Sequence, residues 1–320
     1  MKTATKIWII TAASLLLLGC IIFAVVMSMI KWDFSKLSTS EYETNRYDIT
    51  EDFKKISIET NTADVELEAS EDGTCFAICH ERTNEKHAVK VENDTLIIES
   101  VDTRKWYEYI GFNFGKTQIT LYLPCEEYGG LSVKADTGDI EIPNDFSFED
   151  AEIVTSTGDV SFNASVFGAL KIKTSTGDIF TDALSAGSLD LAVTTGKITA
   201  SGITCGDLSL KVSTGTATLS DVNCKSLTSI GNTGDITMKN LLTAENLSVK
   251  RSTGDVRLDG VDADGIFIET DTGDVVGSLL SEKVFIANTD TGKMEIPYSA
   301  TGGRCEINTN TGDIKITVKK

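Results

Sequence analysis

Two histidines and three prolines in 320 residues leave little material for histidine-ligated metal chemistry and none for proline-rich linkers. Aromatic residues are 7% of the chain, thin for a pocket that must grip a cofactor. Basic residues are scarce as well: 29 Lys and Arg against 48 Asp and Glu give a formal net charge of -19. A surface of that sign repels nucleic acid, so nucleic-acid binding is excluded as a function class. No Ser/His/Asp order, HExxH, P-loop or Rossmann glycine pattern occurs. What the chain does have is a 41% hydrophobic fraction, enough for a core, and 26 glycines placed with unusual regularity.

The charge is unevenly distributed. Residues 1–36 hold Lys2, Lys6, Lys31 and Lys36 against Asp33, and all of the net negative charge lies beyond them. Between Lys6 and Lys31 the run IWIITAASLLLLGCIIFAVVMSMI has no charge. As a helix, residues 7–30 would span about 36 Å at ~1.5 Å per residue, enough to cross a ~30 Å hydrocarbon layer. Trp8 and Trp32 stand at its two ends, where indole rings favour the headgroup region, and are read as interface anchors. No small-x-small cleavage site follows a short apolar region, which argues against a removed signal peptide. Leu17-Leu18-Gly19-Cys20 has the form of a lipobox, but residues 21–30 remain apolar where a lipidated mature chain would turn polar. The expectation is a single-pass anchor in the bilayer, amino terminus inside and the long acidic region outside.

From residue 131 the chain repeats. Thr-Gly pairs begin at Thr137, Thr157, Thr176, Thr195, Thr214, Thr233, Thr253, Thr272, Thr291 and Thr311, always 19 or 20 residues apart. Two residues after each Gly stands an apolar side chain: Ile140, Val160, Ile179, Ile198, Ala217, Ile236, Val256, Val275, Met294 and Ile314. Before it stand pairs such as Leu131/Val133, Leu170/Ile172, Leu189/Leu191, Leu208/Leu210 and Leu247/Val249. Both arms alternate with period two, the signature of strands. A third apolar position, seven after Gly, holds Leu184, Ile203, Val222, Leu241, Val261 and Leu280.

Such a unit is too short for a crossover helix and too small to bury a face alone, so the units must stack. The pattern predicts an all-β chain, a parallel β-solenoid of about ten 19–20-residue coils preceded by one transmembrane helix. At ~4.7–4.9 Å per layer the stack would run for about 48 Å. The expected organisation is residues 1–6 cytoplasmic, 7–30 transmembrane, 31–46 a stalk, 47–130 an amino-terminal β region or cap, and 131–320 the solenoid. A chain of hairpins is the competing reading, but two-residue hairpin loops favour Asn-Gly or Asp-Gly, and here the pair is Thr-Gly every time.

After the glycines come Asp139, Asp159, Asp178, Asp235, Asp255, Asp274 and Asp313, interrupted by Lys197, Thr216 and Lys293. Stacked, these carboxylates form a column. It reads as a calcium stripe, as acid/base carboxylates of a polysaccharide-active β-helix, or as turn residues each capping its own corner and facing water. The last is the expectation, because one Asp per coil supplies few of the 6–8 oxygens calcium takes, and the interruptions break a continuous stripe.

His80 and His87 fall in the charged stretch HERTNEKH, expected to be a solvated turn. Cys205 and Cys224 are one period apart and should meet in adjacent coils, where buried thiols and a disulfide both fit. Residues 104–116, RKWYEYIGFNFGK, hold Trp106, Tyr107 and Tyr109, expected either to cover the first coil or to offer aromatic faces to a glycan or membrane surface.

Ile56-Ser57-Ile58-Glu59-Thr60-Asn61-Thr62-Ala63-Asp64-Val65-Glu66-Leu67, the Leu121-Tyr122-Leu123-Pro124 segment and the recurring Thr-Gly-Asp-Ile/Val units are similar to a bacterial family of unknown function known as putative adhesins, which includes LiaG-like and YvlB-like envelope proteins. The resemblance runs from about Tyr47 to Lys320. It implies an all-β surface domain, often behind a membrane anchor, in Gram-positive bacteria, with no established enzymatic activity and no catalytic residues to carry over; no cofactor is expected. The expected function is a non-enzymatic surface interaction or envelope-associated module. Its expected partners are an envelope protein or glycan, with no small-molecule substrate. The alternatives are an envelope-stress accessory that binds a membrane partner through its helix, and a polysaccharide-active enzyme.

Overall fold

The structure is a computed structural model, and residues 3–33, 41–103 and 115–319 are described. Helix α1 (Thr3–Met29) is long and apolar enough to cross a membrane over Thr5–Met29. Two of its polar side chains bond within the helix: the hydroxyls of Thr11 and Ser14 donate to the carbonyls of Ile7 and Ile10 at 3.0 and 2.9 Å. That lets them lie in hydrocarbon without an orphaned donor. Lys31 and Trp32 then take φ of 55° and 60°, and their amides return to Ser28 and Met27. This Schellman-type stop places Trp32 just beyond the apolar run.

The rest is a parallel β-solenoid. Seven amino-terminal strands, β1 (Tyr42–Ile49), β2 (Lys55–Thr60), β3 (Ala63–Ala69), β4 (Cys75–Arg82), β5 (Glu85–Glu92), β6 (Thr95–Asp102) and β7 (Thr117–Leu123), precede the Thr-Gly units. In each unit the strand before Thr-Gly and the strand after it pair with their counterparts in the next layer, parallel and in register. Ile153 faces Val133 and Ile172, for example, and Val160 faces Ile140 and Ile179. All ten Thr-Gly threonines lie in register along one edge. A third, shorter side stacks Tyr128, Phe148 and Val166. The alternation puts one set of side chains inside, and the paired Leu, Ile and Val positions are buried through the stack.

Four points differ from the sequence-based expectation. First, stacking reaches further toward the amino terminus than residue 131: β2 and β3 form a coil of their own, Ile56 facing Leu131 and Val65 facing Ile140. Second, layer order departs from chain order at both ends. The layer of β6 and β7 lies outside β2 and β3. At the far end, Gly303–Thr311 and Ile314–Val318 slide in beside Gly265–Thr272 and Val275–Leu279, leaving Lys283–Thr291 and Met294–Glu295 as the outermost layer. Cys305, Ile307 and Ile314 suit a doubly covered layer and are buried, whereas their counterparts on the outermost coil are not: Phe285 and Ala287 are half-buried and Met294 is exposed. Third, the register shifts between Asp259 and Val261, so Leu279 faces inward and Leu280 is exposed. Fourth, the described cover of the amino-terminal end is antiparallel: β5 on β6, β4 on β7 and β1 on β4. Trp106, Tyr107 and Tyr109 lie outside the described residues.

Candidate functional site

The Asp column is a set of ties between coils. The amide of each column residue donates to Oδ1 of the aspartate one layer earlier: Asp159 to Asp139 at 2.9 Å, Asp178 to Asp159 at 2.7 Å, and Lys197 to Asp178 at 2.8 Å. The series resumes with Asp255 to Asp235 and Asp274 to Asp255, both at 2.9 Å, and Asp313 to Asp274 at 2.7 Å. Each carboxylate therefore caps the next layer's corner, not its own. Asp64 starts the ladder, accepting from Asp139 at 3.0 Å. Lys293 also finds its place: its amide donates to Asp313 at 2.7 Å, and it sits on the outermost layer, where no further corner needs an acceptor.

Asp235 has its carboxyl held below the usual range by the Asp255 amide first, then by Arg257, which pairs with it at 2.8 Å. A depressed folded-state value means that this tie is present above the unfolded pKa near 4 and is lost as pH falls through the lower folded value. Because only an acceptor oxygen is required, Asp178→Asn should change stability by less than about 0.5 kcal/mol while Asp178→Ala costs about 1 kcal/mol. Urea titration of both checks this. Equal losses, or a calcium-dependent rise in Tm that Asp178→Asn abolishes, would restore the metal-stripe reading.

The more concentrated chemistry lies where the sequence pattern predicts a solvated turn. His80 is exposed and stacks on Tyr42, but Glu81, Arg82, Glu85 and His87 are buried between β4, β5 and the first corner. Four donors converge on Glu81. Oε1 accepts from Asn45 Nδ2 at 2.8 Å and Tyr47 Oη at 3.0 Å; Oε2 accepts from the His87 amide at 2.6 Å and His87 Nδ1 at 2.8 Å. Nε2 of His87 lies 3.3 Å from the hydroxyls of Thr60 and Ser100. Arg82 pairs with Glu85 at 2.8 Å, and Asn61, on the first corner, donates to Glu85 at 3.1 Å.

The sequence Ser100, His87, Glu81 has the connectivity of a hydroxyl, base and orienting acid. However, Glu81 is 0% and His87 5% exposed, which leaves no space beside Nε2 for a reacting carbonyl. Among the described residues, Cys79, Glu81 and His87 form the one group with metal-ligating atoms within 4.8 Å of one another. They do not fit an ion well: both Glu81 oxygens are committed, and burial followed by the Glu81 charge pushes the Cys79 thiol up to about 12, away from thiolate. The arrangement acts as a polar clasp joining cover and coil.

A second buried polar group lies mid-rod. Arg251 points inward at 4% exposure, its Nη2 donating to Ser229 at 2.9 Å. Gly231, facing it in register, leaves the space that its guanidinium fills. Burial pulls its pKa down to about 10. Cys205 and Cys224 meet in register on the short side and are unbridged. Trp8 and Trp32 are exposed at the two ends of the helix.

The sequence profile described as Toastrack DUF4097 matches residues 53–217 and 203–320. No curated protein sequence matches the chain. Solved structures similar to it include a putative adhesin from Parabacteroides merdae, 12% identical with TM-score 0.48, and a putative lipid binding protein from Parabacteroides distasonis, 15% identical with TM-score 0.46, each covering 88% of this chain and 98% of the other. A putative adhesin from Bacteroides fragilis is 18% identical over 87% of this chain and 97% of its own, with TM-score 0.41.

Proposed function

The chain belongs to the Toastrack DUF4097 family, and from that premise we propose that it is a membrane-anchored, extracytoplasmic binding scaffold of the cell envelope that performs no chemistry. Helix α1 holds it in the bilayer, amino terminus inside, with the solenoid outside, in the envelope of a Gram-positive bacterium. One observation carries the reading: the inward positions are taken up by an apolar core, while the outward positions repeat in register layer after layer. A rigid repeat of this kind binds by summing many weak contacts along its length. The partner is an envelope glycan or protein. The aspartate ladder, the Glu81 clasp and the Arg251–Ser229 bond each join one layer to another, which supports a scaffold over an enzyme.

The test has two parts. Protease added to intact cells should remove the solenoid and leave the helix. The full chain in neutral detergent micelles should sediment with isolated wall sacculi in a saturable way. Cleavage only after the cells are opened, or no sedimentation, would count against the proposal.

A further inference from the structure

We propose that one outer face of the rod binds a linear polyanion, a polymer carrying phosphate or carboxylate on a saccharide or polyol backbone. This names a partner class for the scaffold reading above and rests on it. On the side formed by the strands before Thr-Gly, one outward column runs Lys134, Val154, Lys173, Ala192, Lys211, Ile230 and Lys250, each facing the next in register. Lysine recurs at every second layer, so successive ammonium groups are about 9–10 Å apart and the four extend over about 29 Å at ~4.8 Å per layer.

In a chain of net charge -19, basic side chains are expected to be neutralised by the abundant carboxylates. Lys134, Lys173 and Lys211 are exposed and make no ion pair among the described residues. Acids close the column at both ends: Lys250 pairs with Glu269 at 3.0 Å, and Glu59 faces Lys134 in register. Along their own strands and in the layer between them, the outward neighbours of Lys211 and Lys250 carry no acid: Ser209 and Ser248 on one side, Ser213 and Ser252 on the other, with Thr228 and Asn232 between; Glu269 and Asp271 follow only in the layer beyond Lys250. Ammonium groups flanked by hydroxyls and an amide can meet an anionic group and the neutral oxygens of its backbone together.

The shape of the patch selects the partner. It is narrow, bordered along the corner by the aspartate ladder and on the other flank by Glu152, Lys171 and Asp190, where Lys171 is paired with Glu152 at 2.9 Å. A flat anionic membrane would be pressed against those carboxylates, whereas a single polymer strand can follow the lysines alone. No aromatic side chain stands in the lysine column itself, and the one ring beside it, Phe267, whose centroid lies 5.2 Å from Lys250 Nζ, does not make the run of successive rings on which single-stranded nucleic acid stacks. The apolar members Val154, Ala192 and Ile230 add contacts to the carbon backbone of such a polymer, and Ile230 is 46% exposed.

The experiment uses the full chain in neutral micelles and a fluorescent poly(glycerol phosphate), with neutral dextran as the uncharged polymer. Wild type should bind the polyanion and not dextran. Lys173→Gln/Lys211→Gln/Lys250→Gln should weaken binding at least tenfold, while Lys225→Gln/Lys239→Gln/Lys315→Gln, equal in charge and placed elsewhere, should stay within twofold; unchanged thermal melts certify both folds. No binding by wild type, or equal loss in the two variants, overturns the stripe. Proteoliposomes of zwitterionic lipid are mixed in parallel with protein-free anionic vesicles. Tethering that depends on the three lysines would replace the polymer by a membrane surface and overturn the proposal. Sacculus sedimentation separates the two levels: retention equal in wild type and stripe variant leaves the scaffold and removes the stripe, and no retention by either removes both.

Discussion

Gly196→Ala should destabilise the solenoid by about 3–5 kcal/mol, from two costs of about 1–3 kcal/mol each. The first is conformational: Gly196 has φ of 147°, a region that side chains with a Cβ rarely enter. The second is contact between layers. A Cβ at this position would overlap the backbone carbonyl oxygen of Gly177 in the preceding coil, and rigid backbone cannot swing aside as a flexible side chain would. The coil of β2 and β3 ties the glycine to the φ of the corner: the place equivalent to Gly138 is held there by Ala63, which stacks on Thr117 of β7 and has no left-handed φ. Gly73 isolates the first cost: its φ is 73° and a Cβ there would meet nothing within 4 Å, so Gly73→Ala should cost only about 1 kcal/mol. Hydrogen exchange of Gly196→Ala should show lost protection in the layers around residues 177–215 and retained protection at both ends, because nearest-neighbour stacking confines the damage. A loss no larger than that of Gly73→Ala would show that the corners are not held by close layer contact.

The period of the Thr-Gly pairs is enough to read the coil, its two long strands and the inward columns at Leu131/Val133 and Ile140, because each depends only on local alternation. Layer order at the ends is not legible. Every unit fits beside every other, and the choice between Cys305/Ile307 and Phe285/Ala287 for the covered layer turns on small differences in burial across the whole stack. The aspartates are recognisable as corner residues, yet their acceptor role runs to the next layer, 19 or 20 residues on, and a repeat aligned on itself cannot distinguish that from capping within one turn.

His87 is hidden for a different reason. Its neighbours are charged, and only cross-strand partners reveal that the charges satisfy one another indoors. A signal is nonetheless present: Asn93-Asp94, both at positive φ, joins two alternating runs and is a hairpin turn that fixes His87 opposite Ser100. Likewise Ser229 interrupts an inward column of Val, Ile and Leu, and Gly231 follows Val193 and Val212 in the inward column beside it; together the two small residues mark the place that Arg251 fills.

Glu81→Ala should cost about 3–5 kcal/mol, several times more than loss of a single aspartate tie, because it strands donors already withdrawn from water. Asn45 and Tyr47 and both nitrogen donors of His87 would lose their common acceptor. Glu81→Gln keeps the size but turns one acceptor into a donor facing two donors, so about 2–3 kcal/mol should still be lost. The damage should be local first: amides of β4 and β5 lose exchange protection while the layers beyond Thr157 keep theirs. With the cover loosened, the inward side chains of β6 and β7, among them Leu96, Ile98 and Leu121, would be uncovered, so aggregation should follow at lower temperature than in the wild type. Replacing the group together, as in Glu81→Met with His87→Leu and Tyr47→Phe, should cost less than Glu81→Ala alone, since apolar groups of similar volume leave fewer stranded donors. A chelator should leave the wild-type Tm unchanged. Stoichiometric zinc that raises Tm and is lost in Cys79→Ser would instead show that Cys79, Glu81 and His87 open their hydrogen bonds to take an ion, and that the clasp is a metal centre.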